Sequence, residues 1–333
     1  MSTDRPLPHL AGAPRSRHGE AIYATLLVGA AGLSGPASLA AAVPALHLHL
    51  GRLRSDAVAF ALPWPGQAAV MTALCDAAAA HRQASRLDPR AFVRLRVDLY
   101  ADDDLDPVQA PGRAALVAQS RPADDRVRSP ARVAIGPRLR SAGDPLAGCK
   151  RASVATERAL LRAAQGRGHD DVLLLDVEGR LSEATTSALL VGRGGRLYTP
   201  SEAAAPLRST TMALLEALLD PTAGPSPLGA VSRVDLLPTD LQTADFALMV
   251  NAVSGGRPIA FVEGTPLPSP PAGLVETLRD LVDGGAAAHL AVERLRRGHG
   301  PAWAQRALRL GEGDAESEGG TPPCSADGAG PGA

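Results

Sequence analysis

Of the thirty-four basic residues in this chain, only Lys150 is a lysine; all the others are arginine. A sequence that drifts towards arginine wherever either cation serves keeps a lysine where arginine cannot replace it. Arginine stays protonated, whereas a desolvated lysine can lose its proton and attack a carbonyl. Lys150 is therefore the first candidate for covalent chemistry, with a surface lysine surviving by chance as the alternative. Asn251 is equally isolated as the only asparagine. His47 and His49 have strand-like spacing but fall in a helical pattern, so a metal pair is not expected. Cys75, Cys149 and Cys324 are odd in number and lack metal-ligand spacing, which argues against a zinc site and a disulfide framework. A reducing cytoplasm fits that usage.

Charge and composition exclude further classes. The 333 residues suit two domains rather than one core. A formal charge of -1 and 3% aromatic residues give no field or stacking platform for nucleic acid. The stretch from Ala21 to Gly51 carries no charge and follows an Arg-containing leader. Its Gly29, Gly32, Gly35, Pro36 and Pro44 interrupt it, however, and Glu20 guards its entrance, so a signal peptide or membrane span is not expected.

The elements that must position Lys150 follow from periodicity. Ala21–Val28 reads as a strand, the Gly-Pro-Ser segment after it as a turn, and Ala45–Leu62 as a helix with Leu46, Leu50, Leu53, Ala57 and Phe60 on one stripe. Gln67–Arg82 is a second helix. Phe92–Tyr100 alternates as a half-buried strand with Arg94, Arg96 and Asp98 on its polar face. Asp102, Asp103 and Asp104 form a solvated turn that makes a poor calcium loop. Later come a helix over Thr156–Ala164 and strands over Val172–Leu175, Leu189–Val191 and Arg196–Thr199, the last two joined at Arg193-Gly194-Gly195. A helix over Thr210–Leu219, strands over Phe246–Val250 and Ile259–Val262, and helices over Leu274–Val282 and Trp303–Leu310 complete the pattern. The division is then a flexible arm at 1–16, a small α/β domain at 17–143, a linker at 144–149, a large domain at 150–310 and a disordered tail at 311–333.

Several segments recur in one order: GEAIYATLLV at 19–28, HLGRL at 49–53, GCK at 148–150, DDVLLLDVEGRLSEATTS at 170–187, LYTP at 197–200, LRSTTMALLE at 207–216 and NAVSGGRPI at 251–259. Together they resemble the class IV aminotransferases, among them branched-chain aminotransferase, D-amino-acid aminotransferase and aminodeoxychorismate lyase. Lys150 and Glu183 lie thirty-three residues apart, as that family's alignment requires. The resemblance implies a two-domain α/β fold of fold type IV, with pyridoxal 5'-phosphate in the interdomain cleft, and a homodimer.

It also assigns roles. Lys150 holds the cofactor as a Schiff base, for which it must be desolvated or placed near positive charge. Glu183 faces the pyridine nitrogen and keeps it protonated; without its motif it reads as a surface carboxylate. Thr210 and Thr211 stand at a helix start, where unpaired N–H groups favour the phosphate, although simple N-capping looks identical in sequence. Arg52 reaches the same anion from the other domain, its alternative being a solvated helix residue. Tyr23, His18 and Arg94 match positions around the substrate. The implied activity moves an amino group between an amino acid and a 2-oxo acid. Elimination of pyruvate from aminodeoxychorismate to give 4-aminobenzoate, or a catalytically weakened relative, are the alternatives. Four departures stand out: Ala188 replaces the family asparagine, Ser209-Thr210 its Gly-Ile, Met212 its arginine, and Ala155 the tyrosine that branched-chain enzymes carry after the lysine.

Overall fold

The computed structural model describes residues 21–84, 88, 90–101, 114–224 and 228–313. His18, the arm at 1–16, the acidic turn at 102–104 and the chain beyond 313 lie outside the described residues. Strands β1 (Ala21–Gly29), β2 (Phe92–Ala101) and β3 (Ala114–Pro122) form a small antiparallel sheet in the order β1-β2-β3. Alternation sorts the side chains of β2. Val93, Leu95, Val97 and Leu99 are fully buried, while Arg94, Arg96 and Asp98 line a cleft on the other face. Helices α1 (Pro36–Ala42), α2 (Leu46–Ala59) and α3 (Gln67–Ala84) cover the apolar face. The Gly-Pro-Ser turn expected after β1 is helical instead: α1 begins at Pro36, whose fixed φ and missing N–H suit a first helical turn.

The remaining strands build one large sheet. They are β4 (Ala131–Arg140), β5 (Asp171–Asp176), β6 (Leu181–Ala184), β7 (Ala188–Arg193), β8 (Arg196–Pro200), β9 (Val231–Val234), β10 (Phe246–Asn251), β11 (Gly255–Val262) and β12 (Thr265–Pro266). Because β7 pairs with both β6 and β10, the strands β4-β5-β6-β7-β10-β11 close on themselves. Val133, Leu173, Leu181, Leu189 and Ile259 belong to one of its cores. Leu190, Leu248 and Val250 join a second core with α5 (Thr210–Leu218), α6 (Ala272–Asp283), α7 (Ala286–Arg296) and α8 (Ala302–Glu312). Between β4 and β5 runs α4 (Ala155–Gln165). The hairpin between β7 and β8 turns as expected through Gly194 and Gly195, at φ of 57° and 71°.

Two expected boundaries move. The division at 143 is displaced, because β4 lies upstream of it yet pairs in parallel with β5 and β11. The Gly-Asp-Pro stretch marks a loop within the second unit, not its start. Gly311, expected to open the tail, sits inside α8 because only glycine fits there. A Cβ on Gly311 would lie 1.8 Å from the His47 carbonyl oxygen, and one on Gly51 1.5 Å from that of Ala307. This contact sets α2, which carries Arg52, against the second unit. Gly51→Ala therefore costs about 1–3 kcal/mol through overpacking, read as a lower urea midpoint at unchanged slope. Gly273→Ala on α6, where a Cβ meets nothing within 4 Å, costs no stability; equal losses in both variants would refute the close-packing account. None of the described helices is long and apolar enough to cross a membrane.

Candidate active site

Lys150 is pinned through its backbone from both units. Along the edge of β1, the Tyr23 N–H donates to the Lys150 carbonyl at 3.0 Å and the Ala152 N–H to the Ala21 carbonyl at 2.7 Å. Ile22 and Arg151 complete an antiparallel bridge. From α2, the carboxylate of Asp56 accepts the Lys150 N–H at 3.0 Å. Asp56 is fully buried one turn after Arg52, so α2 turns His49, Arg52 and Asp56 towards the site while its leucines enter the cores. The Lys150 amine opens into a cleft of about 1240 Å³ between the small sheet and the barrel. Burial and the Arg52 charge hold that amine below the usual lysine range, against the opposing pull of Tyr23 and Glu183. That is the condition a nucleophilic lysine needs.

Glu183 reaches the same cleft from β6. Burial pushes its carboxyl up, while Arg140 at 2.6 Å, the Leu207 N–H at 3.2 Å and Lys150 pull it down. Arg140 also meets Glu157 of α4 at 3.5 Å, so one guanidinium orients two buried carboxylates. Neither Arg140 nor Glu157 stood out in the sequence. Arg140 ends β4, a strand whose Arg, Gly and Pro content conceals it, and no local motif marks the residue.

An anion cradle lies at the start of α5. Ser209 caps the helix by accepting the Met212 N–H at 3.3 Å, and Ser209 and Thr210 line the cleft. Thr211, expected to donate its hydroxyl here, lines a small neighbouring pocket with Leu27, Val43 and Leu214 instead. One residue along a helix turns the side chain by about 100°, so Thr210 and Thr211 point in different directions from the start of α5. Arg52 is buried, and its Nη1 donates to the Arg208 carbonyl at 3.3 Å. Its Nε and His49 Nδ1 are buried without a hydrogen-bond partner among the described residues. Burial, helped by Arg52 and Lys150, pushes His49 down to about 3, so its imidazole stays neutral. Gly148 of the GCK segment permits this packing, since a Cβ there would lie 2.7 Å from Arg208 Nε. Burial and Asp56 push the thiol of Cys149, next to it, up to about 11, which disfavours the thiolate.

The other expected residues also find places. Tyr23 and Arg94 line the cleft on the small-sheet side. Asn251 serves the turn after β10: its side-chain oxygen accepts the Val253 and Ser254 N–H groups, each at 2.9 Å, and its amide donates to Ser187 Oγ at 2.9 Å. Among the described residues no group of three metal-ligating side chains occurs.

A desolvated lysine, a buried carboxylate across the cleft and a cationic helix start between two α/β units define a pyridoxal-phosphate enzyme of fold type IV. The residues fit that cofactor: the Arg52 donors and the first turn of α5 suit its phosphate, and Lys150 suits its aldehyde. The family model of class IV amino-transferases matches residues 39–262, and the chain belongs to that family. Solved structures share the fold. One is a hypothetical aminotransferase from Mycobacterium tuberculosis bound to α-ketoglutarate and PMP, at 21% identity and TM-score 0.65, covering 85% of this chain and 95% of that one. The fold IV transaminase CpuTA1 from Curtobacterium pusillum follows at 24% identity and TM-score 0.64, covering 82% and 89%. A branched-chain aminotransferase from Thermoproteus uzoniensis, with norvaline, has 18% identity and TM-score 0.66, covering 82% and 89%. No curated protein matches by sequence.

Proposed function

We propose that this chain transfers the amino group of an amino acid to a 2-oxo acid. The observation that carries the reading is the sole lysine, desolvated in the cleft with Glu183 and Arg52 close enough to shift its proton affinity. The bound cofactor supplies the electron sink for a substrate carbanion. Lys150, once freed, holds and moves the α-proton at Nζ. Glu183, steadied by Arg140, keeps a proton on the pyridine nitrogen. Arg52, Ser209, Thr210 and the N–H groups of α5 bind the phosphate. Arg94, which lines the cleft on the small-sheet side, orients the substrate carboxylate. Met212 is buried in the helical core, so the positive charge its family counterpart brings is left to arginines beside the start of α5, Arg52 first among them.

The chain works as a homodimer in the cytoplasm, with residues 21–130 as the small unit and the barrel unit beginning at Ala131. Two described cysteines, Cys75 and Cys149, are free thiols, which agrees with that compartment. The deciding experiment mixes cofactor-loaded protein with amino acids and no acceptor. A transaminase releases one 2-oxo acid per site and stops until a second oxo acid is added. Continued turnover without acceptor, with pyruvate and 4-aminobenzoate released from aminodeoxychorismate, would replace this reading by the lyase. Silence in both assays would mark a weakened relative, with Ala188 and Ser209 the first positions to restore.

A further inference from the structure

Tyr23 and Lys150 face each other because their backbones are zipped together at the edge of β1. Lys150 Nζ lies over the Tyr23 ring, 4.7 Å from its centroid, so the phenol and the amine sit side by side in the cleft. On the same ring sits Arg96, its guanidinium carbon 3.7 Å from the centroid. The register pairs Tyr23 with Asp98 and Thr25 with Arg96, so Arg96 crosses to Tyr23 diagonally. Asp98 holds it there through Nε, at 3.0 and 2.8 Å to its two oxygens, and through Nη2. The charged and titratable groups around the pair include His49, Arg52 and Asp56 from α2, Arg94, Arg96 and Asp98 from β2, Arg140 from β4 and Glu183 from β6, with Cys149 and Arg151 next to Lys150 in sequence. On α4, Ala155 offers no hydroxyl to this site.

We propose that Tyr23 is the positioning residue that shares the proton of Lys150, with Arg96, clamped by Asp98, stabilising the phenolate. In the exchange the Tyr23 O–H bond breaks as an N–H bond forms on Lys150. A neutral phenol and neutral amine become a phenolate and an ammonium, so no other reactant is consumed. Burial raises the phenol's proton affinity, yet Lys150, Arg96 and Arg52 together bring it below the usual tyrosine range. Burial and Arg52 lower the amine as well, while Tyr23 and Glu183 pull it up. This role differs from a substrate contact, and it rests on the reading that Lys150 is the reactive amine.

The test exploits the single lysine. Full-length chain stripped of cofactor and labelled with [ε-¹³C]lysine gives one lysine signal, whose pH titration is that of Lys150. Tyr23→Phe moves the midpoint to lower pH, because the phenolate that favours the ammonium is gone. Arg96→Gln moves it the same way, because the phenol then keeps its proton. A purely Coulombic neighbour predicts the opposite sign, since removing a cation favours a nearby ammonium. An upward shift in Arg96→Gln, or an unmoved midpoint in Tyr23→Phe, overturns the proposal. In the loaded enzyme Tyr23→Phe lowers kcat by about a hundredfold with KM little changed; a rise in KM alone would return Tyr23 to substrate binding. Attachment of cofactor away from Lys150 sinks the aminotransferase reading but leaves these titrations intact.

Discussion

Lys150→Ala abolishes covalent attachment of the cofactor and lowers activity by about 10⁴-fold or more, while the chain stays folded. The contacts that pin residue 150 explain the second half of that result. Asp56 accepts its backbone N–H, and its carbonyl accepts the Tyr23 N–H. Both survive truncation to alanine. What disappears is a desolvated amine, whose burial costs stability unless it is paired, so the urea midpoint changes little. Borohydride treatment of the loaded wild type leaves the cofactor on one peptide, the one containing residue 150. With no other lysine in the chain, only the N-terminal amine competes. A label recovered on any peptide lacking residue 150, or covalent cofactor retained by Lys150→Ala, is incompatible with the site described above.

Much of this site was legible in the sequence, for reasons that differ residue by residue. Lys150 was marked by its isolation among arginines, and Glu183 by its motif and spacing. The leucine stripe of α2 and the alternation of β2 are local periodicities, and burial follows both: Leu46, Leu50, Leu53 and Ala57 enter the core, as do Val93, Leu95, Val97 and Leu99. What escaped is non-local. β4 has no clean alternation, and its place depends on parallel partners from two distant segments, β5 and β11. With β4 hidden, Arg140 had no reason to meet Glu183. Helix phase was the other blind spot. Spacing put two threonines at the start of α5, but only Thr210 lines the cleft, while Thr211 lines a small pocket beside it. Gly311 read as the start of a tail; its crossing with Gly51 becomes visible only when two helices far apart in sequence touch.

Arg52→Ala weakens binding of pyridoxal 5'-phosphate by about tenfold to a hundredfold, because a charge-assisted contact contributes about 1.5–3 kcal/mol. Arg52 is 3% exposed, and among the described residues its guanidinium meets one carbonyl at 3.3 Å and Asp56 at 4.0 Å. Its Nε finds no hydrogen-bond partner among the described residues. A buried cation with a spare donor beside the first turn of a helix is arranged for an anion. Arg52→Lys keeps the charge but loses the planar fork, so it falls between alanine and wild type. Thr210→Val weakens binding further along the same cradle, whereas Thr211→Val leaves the cofactor's phosphate contacts untouched. Spectroscopic titration with pyridoxal 5'-phosphate gives these affinities. The same titration with pyridoxal, which lacks the phosphate, separates two meanings of a loss. If Arg52 acts on the phosphate, pyridoxal binds the Arg52→Ala variant as well as it binds wild type. An equal loss for both compounds would mean that Arg52 acts through Lys150, whose amine its charge holds down, and that the phosphate is gripped elsewhere.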